Sequence, residues 1–200
     1  KEGITRSEYL FREALKYDST FAPAYCWLAS VYHQKHLWES YLSKNINILD
    51  SVLILANTAI SLDDQLSDGY TVRGDYYRTM ENTSQAEADY DRAIKLNPND
   101  AMAYAGKGIL FMNLDNIKSL ENVFRAASLH RGSLLPLLLR GIGSVFMSSG
   151  FADKAVQYFN EAFKLDGDSV LYNINMADLA FCTENFKGAV EYLGRAYKLD

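Results

Sequence analysis

Residues 67–100 read SDGYTVRGDYYRTMENTSQAEADYDRAIKLNPND, and this stretch of 34 residues decides the fold. The alanine at position 93 inside it has counterparts at similar intervals along the whole chain. The set is Ala14, Ala59, Ala93, Ala127, Ala162 and Ala196, with successive spacings of 45, 34, 34, 35 and 34 residues. A period of 34 residues is typical of a stacked array of helix pairs, in which each repeat contacts only its neighbours.

The neighbours of these alanines recur as well. We number the positions of each repeat as places 1 to 34, with the recurring alanine at place 27. A large apolar residue stands three positions earlier in five of the six cases: Phe11, Tyr90, Phe124, Phe159 and Leu193. Place 8 is small (Ala29, Gly74, Gly108, Gly143 and Ala177), which lets two helix backbones approach closely. An aromatic at place 11 is expected to fill the gap beyond it. Apolar residues at i, i+3 or i+4 and i+7 predict amphipathic helices rather than strands.

This constellation resembles the tetratricopeptide repeat. The residues of 67–100 that match its pattern are Tyr70, Gly74, Tyr77, Ala86, Tyr90, Ala93 and Pro98. The next unit departs from the pattern with Leu120 at place 20 and Gly132 where proline is expected. The resemblance covers essentially the whole chain and implies an all-α fold, a right-handed α-α superhelix of antiparallel helix pairs. It implies one solenoid domain over 1–200, with a half repeat at 1–21 and repeats at 22–66, 67–100, 101–135, 136–169 and 170–200.

One repeat is longer than the others, since the unit at 22–66 has 45 residues against 34. The extra residues fall around His36 to Asn47 and predict either a long loop or an extended helix. The unit opens with APAYCWLASVY at 22–32 and is similar to the repeat tails of bacterial adenylate cyclases and winged-helix transcriptional regulators. That resemblance implies a regulatory or partner-sensing module. Because the pattern opens on a second helix (Ile4 to Lys16) and stops after another, we expect a fragment of a longer protein.

The charge balance narrows the class of partner. The net charge is −5, and no two Lys or Arg residues are adjacent, so the basic surface expected of a nucleic-acid binder is missing. Apolar runs fall far short of the ~20 residues needed to span a bilayer. We therefore expect a protein or peptide partner, with no nucleic acid and no membrane insertion. We also expect a cytoplasmic location, with the periplasm left open.

Few residues suggest chemistry. Cys26 and Cys182 lie four repeats apart and are expected to be small core residues rather than a disulfide. Cys26, His33 and His36 could begin a zinc site, but no fourth ligand follows at a characteristic spacing, so a structural role is favoured. No nucleophile, base and oxyanion donor occur at recognisable spacing. The sequence predicts no enzyme activity, no cofactor and no metal.

The resemblance to the repeat family also implies a concave groove. This groove is lined by the first helices, that is, by the first helix of the pair in each repeat. The groove residues it assigns are Ser30, His33, Asp75, Arg78, Ile109, Met112, Arg140, Ser144, Met147, Ile174, Asp178 and Phe181. The first part of this set is polar and the later part is apolar and contains methionine. Methionine chains repack around varied shapes and suit an amphipathic helix or an extended segment. The alternative is that the apolar part packs on a flanking helix.

Domains of this family that clamp the carboxylate of chaperone tails use Lys, Asn and Arg at places that hold Cys26, Ser30, Val72, Met102 and Gly106 here. Chaperone-tail binding is therefore disfavoured. The leading hypothesis is a non-catalytic interaction or regulatory module, part of a bacterial signalling or transcription-regulating protein, that binds a partner peptide or helix in the groove. The alternatives are a small-ligand sensory domain, an inter-domain spacer, and a self-association surface that would make the chain a homo-oligomer.

Overall fold

The computed structural model describes residues 2–39, 46–112, 114–130 and 132–199. All regular secondary structure within these residues is α-helical. The helices are α1 (Glu2–Tyr17), α2 (Ala22–Glu39), α3 (Ile46–Leu62), α4 (Ser67–Thr79), α5 (Thr83–Leu96), α6 (Ala101–Phe111), α7 (Asn116–Leu129), α8 (Leu135–Ser148), α9 (Ala152–Asp166), α10 (Ser169–Cys182) and α11 (Phe186–Leu199). The predicted all-α repeat of paired helices is confirmed.

The chain divides into two compact units, Lys1–Gly106 (unit 1) and Lys107–Asp200 (unit 2). In unit 1, α2 pairs with α3 and α4 pairs with α5. In unit 2, α8 pairs with α9 and α10 pairs with α11. Gly150 adopts a φ of 81° between α8 and α9. The assignment of one solenoid domain with the repeat boundaries given above stays a prediction.

The closest packing in unit 1 is made by Tyr90 of α5. The side chain of Tyr90 is fully buried, and its ring lies against Gly74 of α4 and Gly106 of α6. A Cβ atom added at Gly74 would lie 2.8 Å from the ring, and one added at Gly106 would lie 2.6 Å from it. The same contact recurs in unit 2, where the ring of Phe159 lies against Gly143. The small residue at place 8 therefore meets the large residue of the paired helix.

The register of α7 differs from the predicted one by a residue. The buried side chains are Ser119, Val123 and Ala126, whereas Phe124 is 40% exposed. Val123 rather than Phe124 faces Gly108, and the Ser119 hydroxyl donates to the Gly108 carbonyl at 2.7 Å. The predicted places of Leu120, Phe124 and Ala127 in this unit are therefore wrong. A β-branched side chain and a buried hydroxyl fit the space beside Gly108, and the larger aromatic ring turns to Phe146 and Tyr158.

The turns use the chemistry expected of helix starts. Asp100 accepts the backbone N–H groups of Met102 and Ala103 and so caps α6. Asp168 accepts the N–H of Leu171 at the start of α10 in the same way. Gly167, between α9 and Asp168, adopts a left-handed φ of 66°.

The long repeat extends its helices. The helix α2 has 18 residues and α3 has 17, whereas the first helices α4 and α6 have 13 and 11. The extended-helix alternative is thus confirmed for the start and end of the insertion, and residues 40–45 lie outside the described residues. The added length of α2 carries Lys35, which pairs with Glu8 of α1. The Tyr32 hydroxyl also donates to Glu8, and these two contacts join α1 to α2.

We predict that Gly74→Ala destabilises the chain, whereas Gly194→Ala does not. The new Cβ at position 74 meets the Tyr90 ring, which cannot retreat because Gly106 lies on its other side. Overpacking of this kind costs about 1–3 kcal/mol. Gly194 is also helical but has open space around it, so alanine there stabilises the helix by about 0.5–1 kcal/mol.

The measurement is chemical denaturation of both variants beside the original chain. Equal free energies of unfolding for the two variants would show that Tyr90 does not fix the spacing of these helices.

Candidate functional site

A small cavity in unit 1 brings together residues of three first helices. It has a volume of about 210 Å³ and lies between α2, α4 and the start of α6. We call it the unit-1 pocket. Its lining comprises Cys26, Trp27, Ser30, Asp68, Thr71, Val72, Asp75, Asp100 and Met102. The pocket therefore carries three carboxylates, two hydroxyl groups and an apolar wall.

Asp100 is held rigidly at one side of this pocket. One carboxylate oxygen accepts the two backbone N–H groups at the start of α6, and the other accepts the Thr71 hydroxyl at 3.0 Å. Asp68 lies nearby with a single long contact of 3.5 Å to the Ser67 hydroxyl. Burial and the neighbouring charge of Asp100 both raise the pKa of Asp68. Asp68 is therefore a carboxylate whose charge is poorly compensated in the pocket.

Asp75 is bound more tightly to the framework. Its carboxylate accepts the Tyr90 hydroxyl at 2.7 Å, and the Arg78 guanidinium lies 3.4 Å away. Burial and the charge of Asp75 raise the pKa of Tyr90, so this phenol stays protonated and remains a donor. The network couples the pocket wall to the buried Tyr90 contact.

The predicted groove residues of unit 1 divide into two groups. Ser30 and Asp75 line the pocket together. His33 is buried, and its Nε2 lies 2.8 Å from the Thr79 hydroxyl oxygen. Burial lowers the pKa of His33 and favours the neutral ring. Arg78 bonds to Tyr90 and to the lining residue Asp75, and neither His33 nor Arg78 is part of the pocket lining.

Asp100 and Trp27 line the pocket but were not assigned to the groove from the sequence. Asp100 is recognisable there only as a turn and capping residue, and its contact with Thr71 spans 29 positions. The structure leaves Trp27 42% exposed, with ring contacts to Phe11 at 5.4 Å and to Phe21 at 5.9 Å. A capping carboxylate directly before a first helix is the signal that could have indicated Asp100.

The two cysteines differ in their surroundings. Cys26 is fully buried, and burial raises the pKa of its thiol to about 12, so it behaves as the predicted core residue. Cys182 is exposed at the end of α10, and the prediction that it belongs to the core is wrong. Within the described residues, no three His, Cys, Asp or Glu side chains converge as metal ligands would.

Unit 2 presents a different surface on its first helices. Leu137 of α8 is 59% exposed and Phe181 of α10 is 64% exposed. Leu171 and Ile174 share a face of α10 with Phe181, because they precede it by ten and seven positions, and both are exposed. The helices α8 and α10 contact each other. We call Leu137, Leu171, Ile174 and Phe181 the unit-2 apolar face.

The other predicted groove residues of unit 2 have varied surroundings. Ile109 and Asp178 are exposed, whereas Met112, Ser144 and Met147 are half-buried. Met147 packs on the cluster formed by Ala155, Phe159 and Leu179. The methionines are therefore less accessible than the residues of the unit-2 apolar face.

Arg140 is the most deeply buried of the predicted groove residues in unit 2. Its guanidinium donates to both carboxylate oxygens of Asp166, at 2.7 and 3.0 Å. The side chain of Arg140 is 8% exposed and that of Asp166 is 29% exposed. The hydrogen bonds from Arg140 hold the pKa of Asp166 below its usual range. The charge of Arg140 is thus neutralised within the fold, and Arg140 joins α8 to the end of α9.

Comparisons with known proteins agree with the helix-pair fold. The sequence profile of the tetratricopeptide repeat matches residues 67–100. The RNA polymerase-associated protein CTR9 of Caenorhabditis elegans is 24% identical over 181 residues, which cover 86% of this chain and 15% of that protein. The chain therefore spans a small part of the length of this relative.

Two solved structures show the same fold at low identity. The Cut9-Hcn1 hetero-tetramer of the APC/C gives a TM-score of 0.76 at 16% identity, covering 98% of this chain and 35% of that chain. PilW, a type IV pilus biogenesis factor, gives a TM-score of 0.72 at 16% identity, covering 96% of this chain and 83% of that chain. Among the described residues, no helix is long and apolar enough to cross a membrane.

We predict that Asp166→Asn destabilises the chain by about 1–3 kcal/mol at neutral pH, because it leaves the buried Arg140 without its counter-charge. The stability from this pair is present above the ordinary aspartate pKa of about 4 and is lost as the pH falls through the lower pKa of the folded state. The difference between the original chain and Asp166→Asn should therefore shrink in acid.

The measurement is denaturant unfolding at a series of pH values, with the exposed Asp64→Asn as the matched control. A difference that does not depend on pH would contradict the ion pair.

Proposed function

We propose that the chain acts as a protein-interaction module of the tetratricopeptide repeat family, whose unit-2 apolar face binds an apolar segment of a partner protein. Proteins of this family are generally non-catalytic scaffolds. The observation that carries the proposal is the exposure of Leu137, Leu171, Ile174 and Phe181 on the first helices of unit 2. Exposed apolar side chains grouped on one surface are typical of interaction sites.

The packing of α8 supports this interpretation. Leu138, Ile142 and Val145 are 5%, 1% and 0% exposed, so the core side of the helix is already filled. Leu137 lies outside that core. Its exposure therefore adds nothing to the folding of the hairpin, whereas covering it with a partner removes apolar surface from water. Burial of such a side chain contributes roughly 1.5–3 kcal/mol.

The relatives support a role within assemblies. The relative in Caenorhabditis elegans is described as associated with RNA polymerase, and the Cut9-Hcn1 structure is a hetero-tetramer of the APC/C. Both descriptions fit a module that holds protein subunits together. The assignment to a bacterial signalling or transcription-regulating protein stays a prediction, as does the cytoplasmic location.

The partner segment suited to the unit-2 apolar face is an amphipathic helix or an extended strand with two or three large apolar residues. Leu171, Ile174 and Phe181 follow one another along α10 at spacings of three and seven residues. A helix lying along this row would present residues at i, i+3 or i+4 and i+7. Asp178 interrupts the row with a charge, so the contact is expected to tolerate a basic residue opposite it.

We predict that peptides selected from a random library on the 200-residue chain carry this apolar spacing and lose affinity in the Leu137→Ser variant. Removing the leucine side chain from the interface weakens binding by about 1.5–3 kcal/mol, or roughly 10- to 150-fold. Leu10→Ser is the matched control, since Leu10 is 53% exposed on α1 and lies outside the unit-2 apolar face.

Affinity is measured by fluorescence anisotropy, and thermal melting verifies that both variants fold. Equal affinities for the two variants would overturn the proposed site. Sedimentation equilibrium of the chain alone tests the self-association alternative, which requires a concentration-dependent mass that Leu137→Ser reduces.

A further inference from the structure

The unit-1 pocket combines uncompensated negative charge with an aromatic wall. The carboxylate oxygens of Asp100 accept hydrogen bonds from backbone N–H groups and from the Thr71 hydroxyl. Asp75 is bonded to Tyr90 and Arg78. Asp68 also lines the cavity, and among the described residues its carboxylate has one long hydrogen bond, at 3.5 Å from the Ser67 hydroxyl. A ligand that enters this pocket therefore meets carboxylates that Arg78 neutralises only in part.

The opposite wall is apolar and partly open to solvent. Trp27 is 42% exposed and Met102 is 52% exposed, and both line the pocket. Phe11 and Phe21 contact the Trp27 ring and hold it in place. An indole face attracts a cation within about 6 Å, and the attraction grows when the cation is removed from water. The pocket thus offers a carboxylate for the charge and an aromatic surface for the stem that carries it.

We propose that the unit-1 pocket receives the side chain of an arginine or lysine from a partner protein. The inference rests on the proposed function, because it specifies the chemistry of the partner. A long basic side chain satisfies both walls at once, since its alkyl stem packs on Trp27 and Met102 while its head reaches Asp68. The volume of about 210 Å³ accommodates one such side chain.

A basic side chain suits this pocket better than a metal ion does. A calcium ion takes six to eight oxygen ligands at 2.3–2.6 Å. Both oxygens of Asp100 and one oxygen of Asp75 already accept hydrogen bonds within the fold, and four of the nine lining residues are apolar. An anionic ligand would be repelled by the same carboxylates. Charge complementarity therefore selects an organic cation.

The test uses two small probes with the isotope-labelled 200-residue chain. The first is Nα-acetyl-arginine methylamide, and the second is its uncharged analogue Nα-acetyl-citrulline methylamide. We expect the arginine probe to shift the NMR signals of the Trp27 indole N–H and of the Thr71 amide, and the citrulline probe to leave them in place. The shift should weaken as salt is added, because the attraction is electrostatic.

The variant Asp68→Asn should weaken binding of the arginine probe about tenfold, because a charge-assisted hydrogen bond becomes a neutral one. Asp153→Asn is the control, since it makes the same change at an exposed position in unit 2. Met102→Lys provides a second variant that leaves the core intact. Its own ammonium group should occupy the pocket and abolish the shift, whereas Met80→Lys, at a residue 50% exposed after α4, should not.

Three results would overturn the inference: equal shifts from the two probes, equal effects of Asp68→Asn and Asp153→Asn, or equal effects of Met102→Lys and Met80→Lys. The outcome is separable from that of the proposed function. If selected peptides lose affinity for Leu137→Ser but keep it for Asp68→Asn, the proposed function holds and the binding of a basic side chain is contradicted. An arginine-dependent shift without any selected peptide would do the opposite.

Discussion

The insertion of one aromatic ring between two glycines sets the geometry of unit 1. Tyr90 is fully buried between Gly74 and Gly106, and no side chain larger than glycine fits at either position without moving the ring. The contact fixes the distance between the first helices α4 and α6. Because that distance is fixed, Thr71 of α4 reaches Asp100 at the start of α6, and the unit-1 pocket has a defined width. The Tyr90 hydroxyl extends the same constraint to Asp75 in the pocket wall.

In each helix pair, residues of the second helix fill the core, whereas residues of the first helix line the candidate binding surfaces. In α5 the buried residues Ala86, Tyr90 and Ala93 fill the core, whereas the α4 residues Asp68 and Asp75 face the pocket. Unit 2 follows the same division, with Phe159 and Ala162 of α9 buried and Leu137 of α8 exposed. The core residues determine where the first helices lie, and the outward residues of those helices can then differ without a large cost in stability.

The periodic spacing was enough to predict the fold. Small residues recur at places 8 and 27 because two helix backbones approach each other closely there. The spacing was not enough to place α7. Val123 and Phe124 are adjacent apolar residues, and Ala126 and Ala127 are adjacent alanines, so the sequence permits two registers. The Ser119 hydroxyl on the Gly108 carbonyl and the fit of Val123 against Gly108 decide between them. Such contacts depend on the other helix and are invisible in the spacing of one helix.

The candidate site was predictable in part for the same reason. Ser30 and Asp75 stand at places set by the helix period, and both line the unit-1 pocket. His33 and Arg140 were also assigned to the groove, yet both are buried. His33 is hydrogen-bonded to Thr79, and Arg140 is hydrogen-bonded to Asp166. These partners are 46 and 26 positions away in the chain. The sequence period identifies the helix face that carries a residue. The hydrogen-bond or ion-pair partner of that residue determines whether a long or polar side chain is buried against the fold.

The two surfaces differ in the physical force that each can supply. Attraction at the unit-1 pocket arises from carboxylate charge near solvent, so ions screen it over a Debye length of about 8 Å at physiological salt. Attraction at the unit-2 apolar face arises from removing Leu137, Ile174 and Phe181 from water, and salt does not screen that term. The charge contributes mainly to the rate of encounter and to the choice of partner, whereas the apolar contact contributes mainly to the lifetime of the complex. Added salt should therefore weaken attraction at the unit-1 pocket more than attraction at the unit-2 apolar face.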